Sequence, residues 1–416
     1  MVSIVKNLVS ALVLSVIAGE LIAKDGVSQS DASPQVTSSA VSLQQYQDTI
    51  SKLESEQGAY HPALRQAWLD LGLWRQGQGD YLQAVAAFEK ALHIGKVNAG
   101  LHDLMQVEIV ELLIDSYSQL QDWQGLDKNL NYLLWLSRRN YNNDDDRLVA
   151  IIERVGRWYM QAYQLYSGGE AVSYLVKADD LYDEATHIIE KQYGQNAKQL
   201  VNILHAIATI NYQIASDVDD VFRMSHKDIR AAMIPDKRAT PYLNEVAVRA
   251  FYFDQSFYKG KHSLELIINI YKDELPESTL EYAQALVYQG DYYLSLNRKW
   301  NAMRNYEKAY AVLVQGNAGS EDIKSIFGAP RRVEPFTIPG KELAAIDESR
   351  YIDAMFDVPS KGWPGDIRII ATNPEDSSEL RTRGKHAVSA TRYRPRFEEG
   401  KPVSTEAVSL RYVFRK

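Results

Sequence analysis

Between about residues 44 and 315 the apolar positions recur every three to four residues, which predicts a long succession of helices, each burying one stripe. The clearest stretch covers 68–91, WLDLGLWRQGQGDYLQAVAAFEKA. Trp68, Leu71 and Gly72 share one helical face, and the polar run Gly77, Gln78, Gly79 and Asp80 makes a turn. Tyr81, Ala84, Phe88 and Ala91 then mark the facing stripe of a second helix. Gly72 and Ala84 are small enough for two backbones to approach, while Trp68, Tyr81 and Phe88 fill the space around the crossing. From Tyr351 the period falls to two. Strands are predicted over 351–358 and 366–371 around a turn at 361–364, then a helix over 376–390. Alternation over 392–397, a turn at Glu399 and Gly400, and a closing strand over 408–414 complete a hairpin–helix–hairpin order. The expected fold class is mainly α, a helical solenoid, followed by a small α+β domain whose antiparallel sheet is covered on one face.

The small–aromatic–small signature returns along the chain. Ala178, Tyr182 and Ala185 keep the spacing of Ala84, Phe88 and Ala91, with Leu165 in the place of Leu71. Gly290, Ala302, Tyr306 and Ala309 reproduce the intervals of Gly72, Ala84, Phe88 and Ala91, and Tyr293 stands where the first copy has Arg75. Leu113, Tyr117, Trp123, Leu126, Leu130 and Leu133 form a degenerate copy. The first copy closely resembles the tetratricopeptide repeat (TPR), W-x2-L-G-x2-Y followed by A-x3-F, departing from it at Arg75 for Tyr and Lys96 for the closing Pro. The reading is of about five helical pairs in a right-handed solenoid. Such an array is a scaffold with a concave surface for protein partners.

The last part resembles the C-terminal domain of TonB-type energy transducers. Its carriers are Phe356, Val358, Gly362, Pro364, Ile367, Ile369 and Pro374, then Ala387, Arg392, Tyr393, Arg394, Pro395, Gly400, Pro402 and Phe414; Thr391 stands where the family has Trp. The resemblance implies capture of an extended peptide from an outer-membrane transporter along an exposed strand edge, or self-association through that edge. Arg392, Tyr393, Arg394, Arg396, Arg411 and Tyr412 are the candidate partner-binding residues, against the alternative of ordinary strand alternation.

The first residues read as an export signal: Lys6, an apolar run over 8–18, then small residues at Ala18, Gly19 and Ala23. Glu20 interrupts the run short of the ~20 residues that span a bilayer. A periplasmic chain is expected, with an uncleaved inner-membrane anchor as the alternative. The organisation expected is a signal over 1–23, a lead-in over 24–43, helical repeats over 44–315, a Gly- and Pro-rich linker over 316–345 that spaces the two halves apart, and the α+β domain over 346–416. Of the 416 residues none is cysteine, which excludes a disulfide framework. The net charge is −8, yet from Arg381 onward ten Lys and Arg face three Glu, leaving −15 on the preceding residues. An acidic body with a basic tail suits different protein partners at the two ends and disfavours nucleic acid.

No nucleophile, base and orienter can be assembled from these residues. Asn142, Asp144, Asp146 and Glu153 match places of a calcium loop, but Arg147 stands where the turn needs Gly, so a capping role is preferred. The run at Gly260 only superficially matches a phosphate loop, and His205 reads as a core or groove residue. The expected function is that of an exported, non-catalytic adaptor with no metal and no cofactor. A TonB-type energy transducer is the alternative, and a cell-envelope enzyme a third reading.

Overall fold

Among the described residues helix follows helix from Leu43 to Gln315, as the periodicity predicts, and a further short helix follows. The computed structural model describes residues 43–142, 144–166, 168–216, 245–333 and 346–415. The expected export signal, nearly all of the lead-in, residues 217–244 and 334–345 of the expected linker lie outside the described residues. The helices are α1 (Leu43–Gln57), α2 (Pro62–Gly77), α3 (Tyr81–Ala99), α4 (Gln106–Leu120), α5 (Trp123–Asn140), α6 (Asp146–Leu165), α7 (Gly168–Tyr193), α8 (Leu200–Ser216), α9 (Glu245–Asp273), α10 (Thr279–Ser295), α11 (Lys299–Gln315) and α12 (Ser320–Phe327). Two compact units divide within α6, one ending at Val155 and the other beginning at Gly156. Among the described residues no helix is long and apolar enough to cross a membrane.

What pairs the helices is a glycine under an aromatic ring. A Cβ placed on Gly72 of α2 would sit 2.4 Å from the Phe88 ring of α3, and one on Gly290 of α10 would sit 2.3 Å from the Tyr306 ring of α11. Both rings are fully buried. Each lies directly on helix backbone, so no larger residue fits without moving the crossing. The same device recurs in altered order. Gly125 opens α5 beneath Tyr117 of α4, Gly156 of α6 lies beneath Tyr182 of α7, and Gly260 of α9 lies beneath the Tyr292 hydroxyl of α10. The leading copies thus follow the spacing read from sequence, and the third does not. Leu165, expected in the place of Leu71, is exposed, because α7 runs for 26 residues and crosses α6 earlier, at Gly156. Arg75, in the family's Tyr position, closes the α2–α3 turn instead: its guanidinium lies 2.8 Å from Asp80 and against the Trp74 ring.

The C-terminal part contains β1 (Arg331–Val333), β2 (Ile346–Val358), β3 (Gly365–Asn373), α13 (Ser378–Ala390), β4 (Arg392–Arg394), β5 (Arg396–Glu398), β6 (Lys401–Val403) and β7 (Thr405–Arg415). Its main sheet is antiparallel with the order β3–β2–β7, and α13 packs across β2 and β3. Ile352, Ala354, Phe356 and Val358 alternate inward from β2 onto Leu380 and Val388 of α13. Two features differ from the sequence reading. Of the expected second hairpin only the closing strand, β7, joins this sheet: its first arm, read over 392–397, is divided into β4 and β5 by Pro395, which has no N–H to give, and β5 pairs with β6 in a separate ribbon. The stretch expected as a linker also contains α12 and β1, and β1 pairs with β4. In its described part, 316–333, Phe327 and Val333 are buried.

Gly72→Val should overpack the α2–α3 crossing and cost about 1–3 kcal/mol in chemical denaturation. Gly77→Ala, at a helical end where an added Cβ meets nothing within 4 Å, should be neutral or gain up to about 1 kcal/mol.

Candidate interaction surfaces

The basic, aromatic residues of the C-terminal part are split between an internal seam and a free surface. Arg394 is turned inward and only 7% exposed. Its Nη2 donates to Asp291 Oδ2 of α10 at 2.6 Å, its Nε to Asp291 Oδ1 at 3.2 Å, and its Nη1 to the carbonyl of Ile326 at 3.2 Å. The Tyr306 hydroxyl donates to the same Asp291 Oδ1 at 2.6 Å, and its ring lies 5.6 Å from the guanidinium. Burial, then the Asp291 charge, holds the Tyr306 hydroxyl well above its ordinary value, so it remains a donor. Tyr306 therefore closes the last helical pair on Gly290 and orients the carboxylate that holds the sheet.

An aromatic cluster continues this seam. Phe397 of β5 packs on Phe327 of α12 at 4.8 Å between centroids, with Tyr310 and Tyr306 of α11 at 6.0 and 6.4 Å. Arg392 donates to Asn297 Oδ1 from Nη2 at 3.1 Å and covers the Trp363 ring. Tyr393 is fully buried, shares a hydrogen bond with the Tyr412 hydroxyl, and donates its backbone N–H to the carbonyl of Gly362. Gly362, with φ of +83°, brings that carbonyl in; a Cβ there would lie 2.3 Å from the Tyr393 carbonyl. So Arg392, Tyr393 and Arg394, placed in sequence as candidate partner contacts, are engaged within the chain. The two parts expected to stand apart on a linker are in direct contact through these residues.

The rest of the set is divided, with Arg411 facing outward, Arg396 half-buried and Tyr412 buried. Arg411 is exposed on β7, bidentate to Asp353 of β2 at 2.8 and 2.9 Å, with its guanidinium 3.8 Å from the Tyr351 ring centroid. Arg396 pairs with Glu398 at 2.6 Å. Tyr412 points into the sheet core, under Arg332. Among the described residues β7 pairs with β2 on one side only, and Leu410 and Val413 are exposed along it. That strand edge is, like the outer edge of β3, an open main-chain surface of the C-terminal sheet.

Other residues singled out in sequence have structural partners. Asp145 caps α6, accepting from the backbone N–H of Arg147 at 2.9 Å and from its guanidinium. Among the described residues no group of acidic or histidine side chains is arranged to hold a metal ion. Gly260 lies in the middle of α9 under Tyr292, not in a phosphate-binding turn. His205 packs edge-on against Tyr288 at 4.9 Å, and burial holds its imidazole below the ordinary value. Sequence reading missed one charged cluster between helices. Lys259 of α9 donates to Asp179 and Asp183 of α7, both at 2.6 Å, and Asn211 of α8 donates to Asp179 at 2.7 Å. Burial pushes the Asp179 carboxyl up to about 6; Lys259 opposes this, and Asp183 adds to it by sharing the one ammonium. The i, i+4 spacing of Asp179 and Asp183 was visible, but nothing in the sequence places Lys259 between them.

No protein-family model and no curated protein matches the chain. Solved structures do. TPR-like repeats of a putative kinesin light chain from Podospora anserina are 13% identical over 62% of this chain and 98% of theirs, with a TM-score of 0.35. A second structure of those repeats is 14% identical over 62% and 99%, at 0.33. BtubC (BKLC) from P. vanneervenii is 13% identical over 67% and 90%, at 0.32. At these scores the likeness carries no argument, and the assignment of stacked helical pairs rests on the crossings themselves.

Asp291→Asn should leave the buried Arg394 charge uncompensated, cost about 3–5 kcal/mol, and expose the 346–415 region to protease before the helices open. Asp179 supplies a pH test. Its folded value lies above the ~3.9 of an unfolded aspartate, so its contribution is complete below about pH 4 and lost as pH rises through about 6. The stability difference between the native chain and Asp179→Asn, followed by urea denaturation, should shift against the native chain by on the order of 2 kcal/mol from pH 4 to 7.

Proposed function

We propose that the chain is an exported, non-catalytic adaptor that holds one protein on its helical pairs and a second, extended one on the β7 edge. The observation that carries this is the seam at Arg394. It commits Arg392 and Arg394 to joining sheet and helices, and leaves the β7 edge, with Arg411, Leu410 and Val413 along it, open for a partner. A strand edge offers regularly spaced donors and acceptors to an extended peptide, with Leu410 and Val413 beside it to select side chains. Stacked helical pairs present extended surfaces of the kind that bind proteins. The order hairpin, helix, closing strand supports the resemblance to TonB-type C-terminal domains at the level of fold. The N-terminal pattern Lys6, apolar run, Ala18 and Ala23 supports export.

The adaptor and the energy transducer part at the N-terminus, because a transducer needs an uncleaved anchor. Mass analysis of the mature protein should give a chain beginning at Gly19 or Lys24; an intact Met1 with membrane retention would overturn the adaptor. A photo-reactive residue in place of Ser409 should give a discrete adduct in living cells, lost when Leu410→Lys and Val413→Lys blunt the edge. An adduct indifferent to those lysines would remove the β7 assignment.

A further inference from the structure

The unit ending at Val155 contains a cavity of about 460 Å³ between the second helices of two successive pairs. Its walls are Glu89, His93 and Lys96 of α3 and Lys128, Asn129 and Tyr132 of α5, and Leu113 of α4 also lines it. Two ammonium groups therefore face one space. Lys96 is half-buried, its Nζ lying 4.0 Å from the centroid of the Tyr132 ring, and Lys128 is exposed. Among the described residues neither lysine has a carboxylate within ion-pair distance. Burial, and then the charge of Lys128, holds the Lys96 ammonium below its ordinary value. Glu89, the one acidic residue lining the cavity, accepts a hydrogen bond from the Tyr117 hydroxyl at 3.0 Å.

The remaining groups suit a polypeptide. Asn129 is buried and spends one amide hydrogen on the carbonyl of Gly125, which leaves its side-chain carbonyl and its second N–H. That pair of groups is what the main chain of an extended peptide can meet. Tyr132 is fixed by donating to Gln106 Oε1 at 2.6 Å, and Trp135 stacks between it and His102. The loop beyond α3 is tied to the same wall, the Tyr132 hydroxyl lying 3.3 Å from the Leu101 carbonyl. Val97, Leu101 and Met105, at the end of α3 and along the loop that follows it, are exposed.

We infer that this cavity binds an extended peptide segment of a partner protein, seating an acidic side chain between Lys96 and Lys128 and an adjacent apolar side chain on Leu101 and Met105. The charge of the whole chain favours this occupant over a nucleic acid. The residues before Arg381 carry −15, a field that repels a polyanion, whereas one carboxylate against two local ammonium groups stays favourable. The inference adds a named site to the adaptor reading. It involves no residue of the β7 edge, so either can fail alone.

The test is an array of N-acetylated seven-residue peptides, each with one Leu beside two Asp or Glu, against matched Asn and Gln versions, probed with the full chain. Acidic members should be selected, with affinity falling as salt rises. Lys128→Glu, on an exposed side chain, should lower binding at least tenfold at an unchanged melting temperature; Lys96→Gln should do the same, and Lys128→Arg should retain binding. Equal binding of acidic and amide peptides, or no loss in Lys128→Glu, would overturn the site. A short RNA oligonucleotide binding as tightly, with the same dependence on Lys128, would overturn the peptide as its occupant.

Discussion

An aromatic ring resting on bare helix backbone is the contact on which the helical part depends. At Gly72 and Phe88, and again at Gly290 and Tyr306, the distance to a would-be Cβ is under 2.5 Å. Glycine within a helix costs roughly 1 kcal/mol relative to alanine. Burying a full aromatic ring against it returns more than that, since large apolar side chains gain about 1.5–3 kcal/mol on burial. The balance favours glycine only where the ring lands. That also accounts for the tyrosines. At Tyr292 and Tyr306 the ring packs on glycine while the hydroxyl, too costly to bury alone, donates to a carbonyl or carboxylate on the neighbouring helix.

Tyr306 then connects two levels of the structure. The residue that closes the last helical pair also orients Asp291, and Asp291 holds Arg394. A buried ion pair is weak evidence for stability, because desolvating both charges consumes much of the attraction between them. Its effect here is directional. Two parallel N–H bonds to one carboxylate, a third to the Ile326 carbonyl and a ring beside the guanidinium admit one placement of β4 against α10. The Phe397, Phe327 and Tyr310 cluster supplies the apolar burial that an ion pair does not.

Much of this was legible in the sequence, and the parts that were not share a cause. The pairs at Gly72/Phe88 and Gly290/Tyr306 have the same separation along the chain because helix, turn and helix have nearly the same lengths in both. Gly156/Tyr182 escaped notice because α7 is long, and Gly125/Tyr117 because the ring precedes its glycine. Spacing reveals a contact only when the connection length repeats. The C-terminal strands were legible from alternation, but alternation states only that a residue leaves the sheet core, not whether water or the chain's own helix waits there. Arg394 read as a surface cation because its carboxylate lies 103 positions away. Gly316 and Gly328 flank a short helix, α12, whose place is set by Phe327 finding an aromatic pocket, which no local pattern reports.

The seam changes what the C-terminal sheet can do within its unit. A sheet on a flexible tether would sample many positions, and any gain from binding at two places would depend on how well the tether's reach matched the separation of the sites. Held by Arg394 and Phe397, the β7 edge keeps a fixed direction relative to α10 and α11. A partner touching both then loses little orientational freedom on meeting the second contact, and one of the wrong shape cannot be accommodated by bending. On the proposed adaptor reading, selection would then come from geometry as well as from side-chain chemistry. So strongly basic a segment spends its best hydrogen-bonding residue internally, where Arg394 fixes the direction in which the β7 edge is presented.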